Sequence, residues 1–210
     1  MVAVVVQAVT VAALYVDPHG VYANLPGVEV WDEERDARLY VGPWPVVAHP
    51  PCARWCRLAG LVEARWGHRR GDDAGCFESA LCAVRMFGGV LEHPAYSDAW
   101  AAFGLPVPAA GGGWTGSLVD PGWSAHVEQF RYGHVAKKAT WLYAVDVELA
   151  PLRWGSSLDG SGHALVSWCA NNTSMFERRP RVGKARAAAT PPEFRDVLLQ
   201  MARTARAVAA

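Results

Sequence analysis

The chain has 210 residues and 22.7 kDa, half of them hydrophobic, which is enough for one ordinary domain with a sizeable core. Twenty basic side chains balance twenty acidic ones, so a globally basic nucleic-acid binder is excluded and any polyanion site must be local. No apolar run reaches the roughly 18 residues of a membrane span, and five cysteines, an odd number in a chain of this size, fit free thiols in a reducing cytoplasm better than a disulfide framework.

Val2 to Val16 is β-branched and almost continuously apolar, which predicts a first strand buried on both faces rather than a leader segment; it ends at the turn Asp17-Pro18-His19-Gly20. Val28 to Trp31 reads as a second strand closed by Asp32-Glu33-Glu34. Val46 to Ala48 reads as a third, stopped by His49-Pro50-Pro51. Apolar residues at Phe77, Leu81 and Val84 predict a helix from Asp73, capped by Asp72 or Asp73 and stopped by Gly88-Gly89. Val90-Leu91 then forms a strand leading into Glu92-His93-Pro94, and Tyr96 to Phe103 a short helix.

Gly111 to Gly113 and Gly122 mark a long glycine-rich connection. Val127 to Phe130 and Thr140 to Val147 are expected as strands around Tyr132-Gly133-His134. Residues 1–150 are expected as the core, 151–188 as a short basic loop region and 189–210 as a C-terminal helix. Charge is segregated along the chain: residues 171–210 hold eight basic side chains, among them Arg178, Arg179, Arg181, Lys184 and Arg186, against three acidic ones, whereas residues 1–64 hold four against seven. Strand and helix in alternation predict an α/β domain with a mainly parallel sheet, whose ligands gather at the carboxyl ends of the strands. Ten tryptophans, several beside Gly or Pro (Trp44, Trp66, Trp114, Trp123, Trp154), either stack on flat ligands or plug the glycine-rich fold.

The chemistry concentrates at Cys52. A cysteine directly after Pro50-Pro51 at a strand end sits on a rigid turn suited to a nucleophile, and His49 and Arg54 nearby would favour its thiolate. Glu92, at the end of another strand, is the matching acid. A zinc reading of Cys52, Cys56, Cys76 and Cys82 is disfavoured because the last two, six apart on a predicted helix, do not share one face, so no metal is expected.

Pro-Cys, helix, strand ending in Glu, then a Gln-containing basic strand pair is an order that resembles the DNA cytosine-5 methyltransferases, across residues 14 to 200. Ala48-His49-Pro50-Pro51-Cys52 resembles the catalytic Pro-Cys loop, with His49 where the family usually has Gly. Gly89 to Pro94 is similar to the Glu-Asn-Val strand, Gln129-Phe130-Arg131 to the Gln-x-Arg strand, and Ala189-Thr190-Pro191-Pro192 to the last shared segment. The resemblance implies a reduced Rossmann-like methyltransferase sheet in which Cys52 attacks C6 of a flipped or single-stranded pyrimidine and Glu92 contacts the base, with Lys138 or Arg131 in place of the family's arginine. It implies substrate contacts from His49, Pro51, Arg54, His93, Gln129 and His134, and cofactor contacts from Asp17, His19 and Asp32, S-adenosylmethionine being the family's donor. Where the family carries Phe-x-Gly-x-Gly, this chain reads Leu14 to Gly20 with a single glycine, and the stretch from Asp17 to Cys52 is short, so the donor stays open. The chain has little room for a target-recognition domain, which implies DNA as partner with low sequence specificity or a second protein for targeting. A reduced enzyme of this kind suits phage or mobile DNA, where modified bases are common. Two alternatives remain: exchange of a C5 substituent or deamination without S-adenosylmethionine, and a non-catalytic DNA-binding module of the same fold.

Overall fold

The computed structural model describes residues 10–155, 165–166 and 181–206. A seven-stranded sheet runs through it in the order β2-β1-β3-β4-β7-β6-β5. Its strands are β1 (Val11–Leu14), β2 (Val28–Trp31), β3 (Val46–Ala48), β4 (Gly89–Pro94), β5 (Trp114–Gly116), β6 (Trp123–Glu128) and β7 (Ala139–Val145). The expected mainly parallel sheet needs correction. β2, β1, β3 and β4 are parallel, but β4 pairs with β7, β7 with β6 and β6 with β5 in antiparallel fashion. The glycine-rich connection thus contains an edge strand, β5. A separate parallel pair joins β8 (Leu165–Val166) to β9 (Arg181–Val182).

Strand side chains alternate between two cores. Leu14, Val46, Ala48, Leu91, Trp141 and Tyr143 face one side, where α2 (Cys76–Phe87) supplies Phe77, Leu81 and Val84, and α3 (Asp98–Ala102) supplies Trp100. Val11, Ala13, Val47, Val90, Leu142 and Ala144 face the other, covered by Phe194, Leu198 and Leu199 of α5 (Pro192–Arg203) and by Tyr22. Helix α4 (Lys184–Ala188) precedes α5.

The second and third strands lie where the apolar runs predict them. β1 is shorter than expected, and residues 1–9 of that run lie outside the described residues. Helix α2 begins at Cys76 instead of Asp73, because Gly75 turns through the left-handed region (φ 78°) before it. Asp73 still caps the first turn, accepting from the Gly75 and Phe77 amides at 3.1 and 2.8 Å. Gly88-Gly89 stops the helix as expected: a Cβ on Gly89 would lie 2.0 Å from the Val46 carbonyl oxygen, so only glycine lets β4 start beside β3. Two helices have no counterpart in the sequence reading: α4, which lies in the expected loop region, and α1 (Ala59–Trp66), which carries only one buried residue and therefore no apolar periodicity to detect.

Candidate functional site

The fold reverses its winding at β1, with β2 on one side and β3 on the other, and a cavity of about 920 Å³ opens at the carboxyl ends of these strands. Its walls come from Tyr15, Asp17 and Pro18 after β1, Asp32, Glu33 and Glu34 after β2, Pro51 after β3, and Asp36, Arg38 and Cys76 nearby. Of the three residues expected at a cofactor, Asp17 and Asp32 line this cavity. His19 does not; it is exposed, and its amide donates to Asp17 (2.8 Å) within the turn.

The lining is acidic. Its one arginine, Arg38, is bound through Nε and Nη2 to the Asp36 carboxylate, each at 2.8 Å, so the Asp17, Asp32, Glu33 and Glu34 carboxylates face the space without a free lining cation. Asp32 is held by the Arg35 amide at 2.9 Å. Tyr15, in the left-handed region at φ 59°, turns its hydroxyl to Ser79 at 2.5 Å.

A second group of polar side chains lies on the α5 face of the sheet, at the ends of β3 and β4. The parallel register pairs Ala48 with Leu91, and alternation turns the next residue of each strand, His49 and Glu92, to the same face. His49 Nδ1 lies 3.0 Å from Glu92 Oε2, and its Nε2 lies 2.8 Å from the Tyr22 hydroxyl. The other oxygen of Glu92 accepts from Gln129 Nε2 at 2.8 Å, and the same nitrogen lies 2.9 Å from Thr140 Oγ1. Tyr22, Glu92, Gln129 and Thr140 are buried. The polarity of this chain follows from the carboxylate. Burial alone would raise the Glu92 pKa, but the His49 hydrogen bond and the charge of Lys138 bring it down to about 2, so Glu92 is ionised and His49 Nδ1–H donates to it. Burial holds the Tyr22 hydroxyl well above its ordinary range, so it keeps its proton while bonded to His49 Nε2.

Lys138 sits at the start of β7 in the left-handed region (φ 40°), and its ammonium donates to the Ala188 and Ala189 carbonyls at 2.8 and 2.9 Å. This ties the segment before α5 to the site. Burial pulls its pKa down, while the negative charges of Glu92 and of a Cys52 thiolate oppose that. Cys52 is half-buried and flanked by this cation, yet the expected thiolate is not what the environment favours. Burial, then Cys56 and Glu92, push the thiol up, and Lys138 offsets only part of this. Neither His49 nor Arg54 acts as the expected activator: His49 is committed to Glu92 and Tyr22, and the charge that lowers the Cys52 thiol is that of Lys138.

Three expected site residues lie elsewhere. The Gln-x-Arg reading needs a strand, in which positions two apart share a face, but β6 ends at Glu128 and residues Gln129–Tyr132 form a 3-10 turn. Gln129 therefore points to Glu92, whereas Arg131 turns away to the Gly155 carbonyl at 3.0 Å. His93 follows Glu92 and faces the opposite side of the sheet, fully buried against Phe77 and Trp100 with ring centroids 5.2 and 6.3 Å away. Burial brings its pKa down to about 4; the Pro51 carbonyl favours the charged ring but is outside hydrogen-bonding geometry of either nitrogen. His134 is buried in its own turn, with Nδ1 3.0 Å from the Ala136 amide nitrogen. Tyr22 and Thr140 were missed by sequence reasoning. Thr140 lies on the face of Leu142 and Ala144 and was legible by alternation; nothing marks Tyr22 in advance.

Among the described residues no group of three or more His, Cys, Asp or Glu side chains could hold a metal, and Cys52, Cys56, Cys76 and Cys82 are free thiols. Cys169, Arg178 and Arg179, and the run His163 to Trp168 apart from the backbone of β8, lie outside the described residues. No helix of the described residues is long and apolar enough to cross a membrane. Comparison with family models, with curated proteins and with solved structures finds no match, so the chemistry is read from these residues alone.

Proposed function

We propose that this chain is a DNA pyrimidine-modifying transferase of the cytosine-5 methyltransferase kind, with Cys52 as nucleophile towards C6 and S-adenosylmethionine as donor. The observation that carries the reading is the meeting of the two sites at one turn. Pro51 is a wall of the acid-lined cavity, and Cys52, the next residue, is within electrostatic reach of Glu92 and Lys138.

The cavity suits the donor on its own chemistry. S-adenosylmethionine has a sulfonium, an ammonium and one carboxylate, a net positive charge that four unpaired lining carboxylates favour; a cofactor with a pyrophosphate would be repelled by them and would find no glycine-rich nest after β1. The volume of about 920 Å³ is within the usual range for a bound small molecule. Asp32, at the end of β2, is the residue placed to accept from ribose hydroxyls, and Asp17 from the ammonium. When bound, the donor supplies an electrophilic methyl group.

The chain's own residues then have separable tasks. Lys138 lowers the cost of the thiolate when Cys52 gives its proton to solvent; adding the thiolate to C6 opens the 5,6 double bond, and after C5 has gained its new group the C5 proton leaves to water and the double bond re-forms as the thiolate departs. Pro51, a wall of the cavity, is the residue directly before the nucleophile and makes the backbone there rigid. Glu92 hydrogen-bonds the pyrimidine edge, for which the base must replace His49 or Gln129 as the partner of one carboxylate oxygen, and Tyr22 receives the freed imidazole. An unpaired or extruded base is required, because C6 is inaccessible within a stacked duplex.

The test is nucleoside mass spectrometry of DNA from cells expressing the wild type or Cys52→Ala, beside titration of purified protein with S-adenosylmethionine. A methylated pyrimidine present only with Cys52, and binding weakened about tenfold in Asp32→Asn, are expected. A deaminated nucleoside would replace the methyl donor with water, and unchanged DNA with no binding of the donor would leave only the binding-module reading.

A further inference from the structure

The loop that leaves Cys52 carries a strongly basic and aromatic surface that the proposed chemistry does not use. Between Arg54 and Arg70 lie five arginines, Arg54, Arg57, Arg65, Arg69 and Arg70, and a single acid, Glu63. The excursion is closed at its neck by the Gly71 amide donating to the Arg54 carbonyl (2.9 Å). It is anchored by Trp55, which is buried against Phe77 and Phe103 and donates through Nε1 to Asp73 at 2.8 Å. What lies beyond the neck is α1, of which only Ala59 is buried; Leu61 and Trp66 are 59% and 57% exposed. A two-turn helix with so little packing is not stable on its own in water, and among the described residues nothing covers its apolar side chains.

Its charge identifies what does. Arg70 pairs with Asp98 at 2.6 Å, but Arg57, Arg65 and Arg69 are exposed and have no ion pair among the described residues. Two of these cations lie over exposed rings: Arg65 is 5.0 Å from the centroid of Trp66, and Arg57 is 5.5 Å from that of Tyr96. A guanidinium beside an open aromatic face is the pairing that holds a phosphate and stacks a base together. The cavity of which Pro51 is a wall is lined by Asp17, Asp32, Glu33 and Glu34. A polyanion is therefore repelled at the cavity and attracted to the arginine-rich loop that leaves Cys52.

We propose that α1 and its loop, with Arg57, Arg65, Arg69, Trp66 and Tyr96, form the docking face for single-stranded DNA that delivers a base to Cys52. The identity of the polyanion rests on the pyrimidine-DNA reading above; the face itself rests on exposure and charge. The unpaired form follows from the rings, since Trp66 and Tyr96 can stack only on bases that are not already stacked in a duplex.

The test is fluorescence anisotropy of a labelled oligonucleotide of ~20 nucleotides, single-stranded or duplex, with the full chain over a range of salt. Replacing Arg57→Gln, Arg65→Gln and Arg69→Gln together is expected to weaken single-strand binding at least ~10-fold and to flatten the salt dependence by about 2, at ~0.7 for each phosphate no longer neutralised. Trp66→Ala is expected to weaken binding about tenfold with the salt slope unchanged. Circular dichroism melts of both variants confirm that they are folded. The proposal is overturned if the folded triple variant binds like the wild type, if duplex binds as tightly as single strand, or if a polyglutamate peptide competes as well as DNA, which would make the partner an acidic protein. A parallel assay with free deoxycytidine monophosphate separates the two readings. Product formed while DNA binding ignores α1 sinks this proposal alone; DNA binding through α1 with no product on either substrate sinks the chemistry alone.

Discussion

His49 and Glu92, 43 residues apart in sequence, meet at 3.0 Å because β3 and β4 run parallel with Ala48 opposite Leu91. With both carboxylate oxygens occupied and the imidazole held from its far side by Tyr22, the pair is the centre of a buried polar chain. A chain of this kind stabilises the fold only while every member keeps its partner.

Acid should therefore unfold the protein in two successive windows. His93 is held at about 4, below the ordinary 6.5, so the unfolded chain binds a proton that the folded chain refuses between these values, and stability falls as pH drops from 6.5 to 4. Glu92 is held at about 2 against an ordinary 4.5; its contribution is present above 4.5 and is lost as pH falls towards 2. Each group sets a slope of at most about 1.4 kcal/mol per pH unit in its window. Urea denaturation across pH should show both, and His93→Phe should shrink the upper one, to which His126 and His134, also held down by burial, contribute, while leaving the lower. A wild-type curve flat between pH 6.5 and 4 would contradict the burial of His93.

Glu92→Gln should lower stability near neutral pH by roughly 1–3 kcal/mol, because it removes the charge that accepts from His49 while keeping the shape. The same variant should lose the lower acid window. Tyr22→Phe, which only removes the hydroxyl partner of His49 Nε2, should cost about 1 kcal/mol. Thermal melts at a single pH compare the three proteins, and equal losses for Tyr22→Phe and Glu92→Gln would mean that the carboxylate is not the centre of the chain.

Alkylation by iodoacetamide reads the state of Cys52. Burial and the neighbouring Glu92 place its midpoint above the ordinary 9.0, so it should react more slowly at pH 7.5 than the exposed Cys82. Lys138→Gln removes the one cation that offsets this and should move the midpoint further up. Peptide mapping by mass spectrometry gives the rate at each thiol; a Cys52 that outpaces Cys82 would show an activated thiolate in the free protein.

Residue order and type alone determined the alternation of strands and helices, the proline stop after β3, the strand that carries Glu92, although β4 runs two residues beyond it to Pro94, and the acidic cluster after β2. Each of these is a local matter of β-branching, proline geometry or a glycine stop, whereas the lack of room for a Cβ on Gly89 beside Val46 comes from the pairing of β3 with β4. Tertiary structure decided the rest. It decided that Glu92 and His93, adjacent in sequence, face opposite sides of the sheet. It also decided that Gln129 joins Glu92 while Arg131 leaves, because a 3-10 turn replaces the strand that two-residue spacing presumes. The Cys52 thiol is raised instead of lowered for a similar reason: proximity of cations in sequence says nothing about burial, and desolvation is the largest influence on it. Tyr22 enters the site through a turn-built connection that carries no pattern, and only the packing of that connection under α5 brings its hydroxyl to His49.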